Sequence, residues 1–486
     1  MGDETGENSI DFGAPNADGD GDDGGSRAKR SIATVLVDVA EERYEFGVST
    51  TGETYAVPRT GPRVVYLLRG GKRSLRAELA REYRRRTGKV APGQALADAM
   101  LTIEGIAQDA ESVVLHLRVA RVAGAVWLDL GDDTGRAVRI TDDGWQVTDA
   151  VPVLFARTVL TGALPEPVRG GDLGELWSWL NVAPRDRPLI LAALIAQLDP
   201  DVPHVVIGVN GENGSGKSTA TRVLVSLLDP SPVTLRKAPK DAEAWVTAAA
   251  GSLVVGIENL SSIPDWLSDS ICRASTGEGD VRRKLYTDGQ LSVFAFRRCV
   301  IANGIDFGAL RGDLAERMLS ILLFPIGDDD RAEEKLFWPL WHTAHPRILG
   351  AVLELAAACQ RASGAVQLTK KPRMADYART LATVDQVLGT TGLARYLSMQ
   401  ADMATDSLTG DPFVIAVAQH IGVTTFDGTS AQLLDLVERP DRRPPKGWPA
   451  GPRQVTTLLK RQAPVMRKAG WTITDDDGRN EAGIVR

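Results

Sequence analysis

Cysteine is scarce in this chain of 486 residues, and Cys272, Cys299 and Cys359 lie far apart with no C-x-x-C spacing. A disulfide framework or a cysteine zinc site is therefore not expected, whereas a reducing cytoplasmic location is. Long hydrophobic runs are also missing, since the apolar residues 188–198 fall short of the ~18 residues that span a membrane. The N-terminus lacks the basic and apolar regions of a signal peptide, so no membrane partner is expected.

Histidine is rare, with five residues, and neither charge dominates, since the formal net charge is -7. His342 and His345 share a helical stretch that has no third ligand candidate, which favours packing or surface roles over a metal site. The acids are unevenly placed, because residues 1–25 contain no Lys or Arg and few large apolar side chains. This composition predicts a disordered acidic tail.

One motif carries most of the functional information. Residues 211–219 read G-E-N-G-S-G-K-S-T and fit the phosphate-binding pattern G-x-x-x-x-G-K-[ST]. The apolar residues 204–209 predict a buried strand before this loop, and residues 220–228 predict a helix after it. Such a loop surrounds phosphates with backbone N–H groups at a helix N-terminus. The predicted ATP-binding residues are Gly211, Asn213, Gly214, Ser215, Gly216, Lys217, Ser218 and Thr219.

Polar residues in and after this loop predict the chemistry. Lys217 is expected to contact the β and γ phosphates, and the Ser218 hydroxyl to ligate Mg²⁺. An apolar run ends at Glu258, where a carboxylate would hold Mg²⁺ or activate water; the alternative is an ordinary core strand. A second apolar run ends at Asn303, whose amide would orient the attacking water, although Asn also ends strands for turn reasons.

Cations follow in two places. Residues 274–294 combine turn residues with the cluster Arg282, Arg283 and Lys284, which predicts an inserted hairpin that presents positive charge. Arg317 follows the strand that ends at Asn303, where an arginine would reach the γ-phosphate of a neighbouring subunit. The alternative for Arg317 is a surface ion pair with a nearby acid.

The region before the loop mixes strand-like and helical patterns. A basic helix is predicted over residues 74–86, and its arginines suit either a solvated face or phosphate contacts. Two helices are predicted within residues 172–198. The strand-like runs are 32–39, 113–119 and 126–130.

The region after the core is mainly helical, with long helices predicted within residues 332–362 and 374–399. Near the end, residues 451–469 predict a basic amphipathic helix, and residues 471–474 and 483–485 predict a β-ribbon. Helices followed by a ribbon are typical of a winged-helix domain. Its DNA-phosphate contacts would be Arg453, Lys460 and Arg461, with a solvated helix face as the alternative.

The order of phosphate loop, acid-tipped strand, basic hairpin and Asn-tipped strand resembles superfamily 3 helicases, in the branch of phage- and plasmid-type primase-helicases. The amino-acid sequences of residues 258–268 and 373–377 are similar to those of proteins of actinobacterial mobile elements. The resemblance implies an AAA+ core, a hexameric ring, single-stranded DNA in its pore and 3′-to-5′ movement. It also implies roles for individual residues: Lys217 and Ser218 for phosphate and Mg²⁺, Glu258 as the acid, Asn303 as sensor, Arg317 as arginine finger, and Arg282, Arg283 and Lys284 as pore cations.

The expected fold is therefore α/β: a three-layer αβα P-loop core with a largely parallel sheet, a mixed α/β N-terminal region and a C-terminal winged-helix domain. The expected domains are the tail (1–30), the mixed α/β domain (31–170), the ATPase core with its preceding helices (171–330), a helical lid or linker (331–410) and the winged-helix-like domain (411–486).

Two functions remain open. The first is an ATP-dependent DNA helicase or translocase that acts on single-stranded or origin DNA in replication of a phage, plasmid or integrative element, with a primase or polymerase as partner. The second is an ATP-gated DNA-binding regulator with weak or no motor activity. The order of the core motifs, the basic hairpin and the C-terminal domain favour the first. The acidic tail favours the second, as does Asn259 after Glu258, where helicases of the resembled family have a second acid.

Overall fold

The computed structural model describes residues 30–260, 262–278, 280–283, 291–294, 296–304, 310, 312–327, 329, 331–409, 411–422, 425–437, 445, 448–468 and 470–474. The predicted acidic tail and Lys284 lie outside these residues. The chain forms two compact units, Met1–Leu115 and His116–Arg486. This division falls inside the domain expected over residues 31–170, of which residues 116–170 belong to the larger unit.

A three-stranded antiparallel sheet with flanking helices forms the first unit. Strand β2 lies between β1 and β3, and the apolar core includes Leu36, Leu79 and Ile103. In chain order the elements are α1 (Ile32–Arg43), β1 (Tyr44–Val48), β2 (Thr54–Pro58), β3 (Tyr66–Leu67), α2 (Leu75–Thr87) and α3 (Gly93–Gln108).

Residues 32–39, predicted as strand-like, lie in α1 instead. Ser31 caps this helix, because its side chain accepts a hydrogen bond from the N–H of Thr34. The buried residues Leu36, Val39 and Ala40 are spaced for one helix face. Cap and spacing together outweigh the β preference of the branched side chains.

Arginines of α2, predicted to lie on a solvated face or to contact phosphates, pair largely within the unit. Glu82, which is 8% exposed, accepts hydrogen bonds from Arg85 (2.8 Å) and Arg86 (2.6 Å) and forms an ion pair with Arg43 (2.9 Å). The hydrogen bond from Arg85 is the largest influence that lowers the pKa of Glu82 to about 2. These pairs favour the solvated-face interpretation.

The larger unit begins with a four-stranded antiparallel sheet that two buried ion pairs fasten. Arg118 pairs with Asp229 (2.9 Å) and Arg157 with Asp129 (2.6 Å), and all four side chains are at most 6% exposed. In chain order the strands of this region are β4 (Leu115–His116), β5 (Val119–Val122), β6 (Ala125–Asp129), β7 (Ala137–Thr141), β8 (Gly144–Thr148) and β9 (Leu154–Phe155). The four-stranded sheet has the order β5-β6-β7-β8.

Two short 3₁₀ helices, Leu173–Ser178 and Pro184–Asp186, and one α-helix occupy residues 172–198, where two helices were predicted. The elements of the central region follow: α4 (Arg187–Gln197), β10 (Val206–Asn210), α5 (Lys217–Leu228), β11 (Leu235–Lys237), α6 (Ala242–Ala250), β12 (Val254–Glu258), α7 (Asp265–Thr276), β13 (Asp280–Arg283), β14 (Leu291–Phe294), β15 (Cys299–Asn303), α8 (Gly312–Ala315) and β16 (Met318–Leu322).

A five-stranded parallel sheet organises this region, with the order β11-β12-β15-β10-β16. Apolar side chains that alternate along its strands enter two different cores. Ile207 and Ile301 join a core with α4 and α5, whereas Val206 and Val300 join a second core with α6 and α7. Helices therefore cover both faces of the sheet, as expected for an α/β fold.

Helices make up the rest of the unit: α9 (Glu334–Ala362), α10 (Ala375–Leu388), α11 (Gly392–Thr409), α12 (Pro412–Ile421), α13 (Ser430–Leu436) and α14 (Pro452–Lys468). Phe413, Leu433 and Val455 share a small core of their own. Residues 471–474 are described without a strand, and residues 483–485 lie outside the described part, so the winged helix stays a prediction. Within the described residues, no helix combines the length and hydropathy needed to cross a bilayer.

Candidate nucleotide-binding site

Parallel pairing brings the predicted residues to one edge of the sheet. Val209 of β10 lies opposite Asn303 of β15, and Ile257 of β12 lies opposite Ala302. Three adjacent strands therefore end at this edge: β10 leads into the phosphate loop, β12 ends at Glu258 and β15 ends at Asn303. This edge is where ligands bind in open parallel sheets.

The phosphate loop turns into α5 at Gly216, whose φ of 78° lies in the left-handed region. Lys217 is the first residue of α5, and its Nζ donates to the carbonyls of Gly211 (2.8 Å) and Glu212 (2.7 Å). No side chain caps the N-terminus of α5, which leaves its first N–H groups available to an anion. A phosphate group would also draw the Lys217 ammonium away from these two carbonyls.

The other loop residues differ in exposure. Asn213 and Gly214 are exposed, whereas Ser218 and Thr219 are half-buried in the first turn of α5. Ser215 is 1% exposed, and its Oγ has no hydrogen-bond partner among the described residues. The predicted site is therefore formed by loop backbone and the first turn of α5 more than by exposed side chains.

A second segment, which follows β16, lies against the phosphate loop. A Cβ added at Gly211 would be 2.9 Å from the carbonyl oxygen of Leu323, and a Cβ at Gly214 would be 2.9 Å from a guanidinium nitrogen of Arg331. Either contact is too short for a real side chain, so both glycines permit this close approach. Sequence patterns gave no sign of Arg331 as a site residue, because it is a single arginine in an acidic stretch with no motif around it.

Asn303 is 0% exposed, and both polar atoms of its amide have partners inside the chain. Its Oδ1 accepts from the N–H of Asn259 (3.0 Å), and its Nδ2 donates to Oγ1 of Thr221 (3.2 Å). The Thr221 hydroxyl donates in turn to the carbonyl of Lys217 (2.8 Å). In this structure the amide thus bonds to protein groups on both sides of the site, rather than pointing into open space.

Glu258 ends β12 and is half-buried. The next residue, Asn259, is exposed and has a φ of 55°, a left-handed conformation that is uncommon for residues other than glycine. Asn is among the side chains that tolerate it best. The chain therefore turns sharply immediately after the candidate acid.

The donor set fits a nucleotide-borne Mg²⁺ better than a resident metal. Among the residues that the structure describes, no group of three or more His, Cys, Asp or Glu side chains could hold a metal ion. Mg²⁺ in nucleotide sites takes only one or two protein ligands, together with phosphate oxygens and water. The Ser218 hydroxyl and the Glu258 carboxylate would supply those ligands.

Arg317 lies at the opposite edge of the sheet from the phosphate loop. It directly precedes β16, and its carbonyl accepts from the N–H of Val206 at the start of β10. Its side chain is 6% exposed, and one guanidinium nitrogen donates to the carbonyl of Asp313 (2.7 Å). The arginine is therefore remote from its own phosphate loop, and its buried guanidinium is bonded to the α8 segment.

The predicted basic hairpin is present, since β13 and β14 pair antiparallel, with Arg282 opposite Ser292 and Arg283 opposite Leu291. The chain then enters β15 through two anchored arginines. Arg297 donates to the carbonyl of Thr276 at the end of α7, and Arg298 donates to the carbonyls of Ala249 (2.7 Å) and Ala250 (3.2 Å).

Helix α14 is amphipathic, as predicted. Val455, Leu458 and Met466 face the small C-terminal core, while Arg453 and Lys460 are exposed. The backbone of Arg461 lies in the same helix. These exposed basic residues lie on a surface, which is required for phosphate contacts but does not distinguish such contacts from a solvated face.

Comparisons with known proteins agree with these features. Residues 175–406 match the family described as actinomycete integrative conjugative element replication protein, and residues 413–486 match the RepA C-terminal domain of these elements. No curated protein matches the chain.

Among solved structures, the chain is similar to "SCCmec type IV Cch - active helicase", with 10% identity, a TM-score of 0.45, and coverage of 91% of this chain and 92% of that chain. It is also similar to the apo A form of the NrS-1 C terminal region, with 10% identity, a TM-score of 0.37, and coverage of 94% and 98%. Over residues 175–406 and 413–486, the chain is thus similar to the RepA replication proteins of actinomycete integrative conjugative elements.

Proposed function

We propose that the protein is an ATP-dependent DNA helicase or translocase that moves on single-stranded DNA during replication of the element. The observation that carries this proposal is the meeting of the phosphate loop, Glu258 and Asn303 at adjacent ends of parallel strands. A nucleotide bound there would have a carboxylate beside its γ-phosphate, which is what hydrolysis requires. The family's role in replication supports DNA as the partner.

Binding would begin at the loop. Backbone N–H groups of residues 211–216 and the N-terminus of α5 would surround the phosphates, and Lys217 would exchange two carbonyl partners for phosphate oxygens. Arg331, whose guanidinium lies beside Gly214, would add a second positive charge. When bound, Mg²⁺ would neutralise charge on the β and γ phosphates.

Hydrolysis would depend on Glu258 as the group that accepts a proton from water or orients it. Arg317 would stabilise the transition state in a neighbouring subunit of a homo-oligomeric, hexameric ring, since its edge of the sheet faces away from its own loop. Arg282 and Arg283 of β13, with Lys284 next in sequence, would contact single-stranded DNA. Arg453, Lys460 and Arg461 would contact duplex or origin phosphates. A primase or polymerase would supply primer synthesis.

A specific observation favours a second candidate, an ATP-gated DNA-binding regulator. Asn259 stands where a second acid would follow Glu258, so a single carboxylate must serve both Mg²⁺ and water. Such a site binds ATP tightly and turns it over slowly. The two candidates therefore differ in turnover and agree in nucleotide binding.

The deciding experiment measures ATP binding and ATP hydrolysis by the full chain, with and without single-stranded DNA. Lys217→Ala removes the phosphate contact, and Lys89→Ala changes an exposed lysine of the first unit as a matched control. Turnover that DNA stimulates, and that only Lys217→Ala abolishes, supports the motor and justifies an unwinding assay. ATP binding without stimulated turnover supports the regulator, and absence of ATP binding refutes both.

A further inference from the structure

The hydrogen bonds of Asn303 connect the two halves of the nucleotide site. On one side its Nδ2 donates to Thr221 in the second turn of α5, and Thr221 donates to the carbonyl of Lys217. On the other side its Oδ1 accepts from the N–H of Asn259, the residue after the candidate acid. We refer to Thr221, Asn303 and the backbone of Asn259 as the amide relay.

The relay holds the backbone directly after Glu258 at two successive residues. Besides the bond to Asn259, the carbonyl of Asn303 accepts from the N–H of Leu260 (2.8 Å). Asn259 is at the same time in a left-handed conformation, with φ at 55°. Asn tolerates this conformation better than most residues other than glycine, and the bonds from Asn303 hold the backbone on both sides of this turn.

A direct role for Asn303 fits this geometry poorly. An amide that orients the attacking water must reach the space beside the γ-phosphate, but Asn303 is 0% exposed and both of its polar atoms are engaged. Each of these atoms could form one further hydrogen bond, but the amide would have to turn toward the γ-phosphate and so strain the two bonds that it already makes. An indirect role requires no such movement.

We propose that Asn303 and Thr221 are positioning residues, which set the direction of the Glu258 carboxylate relative to α5 through the left-handed backbone of Asn259. This inference rests on the proposed nucleotide site and adds to it how the acid is aligned. Lys217 begins α5 and Thr221 lies one turn later. The relay would therefore fix the position of the Glu258 carboxylate relative to the helix that would hold the phosphates. Misplacement of a reacting group by about 1 Å can cost on the order of 10²-fold in rate.

Thr221→Val and Thr221→Ser form the first matched pair. Valine keeps the branched shape but removes the hydroxyl, which leaves Asn303 Nδ2 without its partner, whereas serine keeps the hydroxyl. We expect Thr221→Val to lower kcat by on the order of 10²-fold with KM for ATP unchanged, and Thr221→Ser to restore it. Wild-type turnover in Thr221→Val would refute the relay.

Asn259→Gly and Asn259→Ala form the second pair. Glycine adopts a φ of 55° without strain, whereas alanine does not. Turnover retained by Asn259→Gly and reduced by Asn259→Ala supports a role through the backbone. An equal loss in both variants would show that the Asn259 side chain itself acts, which contradicts the inference.

A binding measurement keeps the relay testable without turnover. Because Glu258 is the proposed Mg²⁺ ligand, its alignment should also set how much Mg²⁺ strengthens binding of a non-hydrolysable ATP analogue to the full chain. We expect Thr221→Val to reduce this gain and to leave binding in EDTA unchanged. If the wild type binds the analogue but never hydrolyses ATP, only the proposed motor is refuted. If Mg²⁺ strengthens analogue binding equally in Thr221→Val and in the wild type, only the relay is refuted.

Discussion

Removal of the Asp229 carboxylate, as in Asp229→Ala, is expected to destabilise the larger unit by about 3–5 kcal/mol. One oxygen of this carboxylate accepts from Arg118 Nε (2.9 Å), and the other accepts from the N–H groups of Leu253 (2.7 Å) and Val254 (3.0 Å). The side chains of Arg118 and Asp229 are 1% and 5% exposed. Water therefore cannot replace the lost partner, and Arg118 keeps a buried charge without its counterion.

The reverse change, Arg118→Leu, removes the other half of the pair and should be costly for the same reason. The double variant should cost less than the sum of the two single variants, because it leaves neither buried charge unpaired. Urea unfolding of the intact chain, followed by tryptophan fluorescence, measures the change in the midpoint of the larger unit.

An exposed ion pair supplies the control. Arg136 and Glu166 approach within 3.0 Å, but their side chains are 32% and 59% exposed, so Glu166→Ala should cost less than about 1 kcal/mol. If Asp229→Ala cost no more than Glu166→Ala, the argument from desolvation would be refuted. Asp229 caps the C-terminus of α5 and accepts a hydrogen bond just before β12, so the substitution would also disturb two elements that support the candidate nucleotide site.

Other predictions concern single sites. Hydrogen bonds hold the pKa of Glu82 at about 2, below its usual value, so this group stabilises the first unit above about pH 4 and loses that contribution as the pH falls toward 2; acid unfolding of Glu82→Gln should lack this step. Arg331→Ala should weaken ATP binding about 10-fold or more in calorimetry, since it removes a charge-assisted contact; an unchanged affinity would exclude Arg331 from the site. The double variant Arg282→Ala, Arg283→Ala should bind single-stranded DNA more weakly and with a smaller salt dependence, while ATP binding stays intact. An unchanged DNA affinity in fluorescence anisotropy would contradict this prediction. Arg317→Ala should abolish hydrolysis but not ATP binding, and normal turnover would exclude the finger in trans.

The features of the candidate site that depend on contiguous residues could be predicted from the sequence. The phosphate loop needs only a strand, glycines and a helix start that are contiguous in the chain. A helix follows the loop as predicted, although it begins at Lys217, three residues before the predicted start. The acid-tipped and Asn-tipped strands are also contiguous apolar runs, and β12 and β15 end at Glu258 and Asn303 as predicted. Parallel pairing then brings those ends together.

Contacts between distant residues were beyond such patterns. Asn303 bonds to Thr221 and to Asn259, which lie 82 and 44 residues away in the chain, and nothing local distinguishes a buried amide from one that faces water. Arg331 was missed for the same reason, since only the path of the chain after β16 places it beside Gly214. Residues 32–39 were misassigned because β-branched composition was weighed above the cap at Ser31.

The arginines at the foot of the β13–β14 hairpin have a mechanical consequence. Arg297 and Arg298 fasten the chain to α7 and to the end of α6 immediately before β15 begins. A load applied to the hairpin would therefore meet a fixed pivot and act along β15, whose far end is Asn303. The strand would behave as a stiff link between the proposed DNA contacts on the hairpin and Asn303, the amide proposed to position Glu258. Under both proposals, tension on bound DNA would change the alignment of Glu258 and with it the rate of hydrolysis.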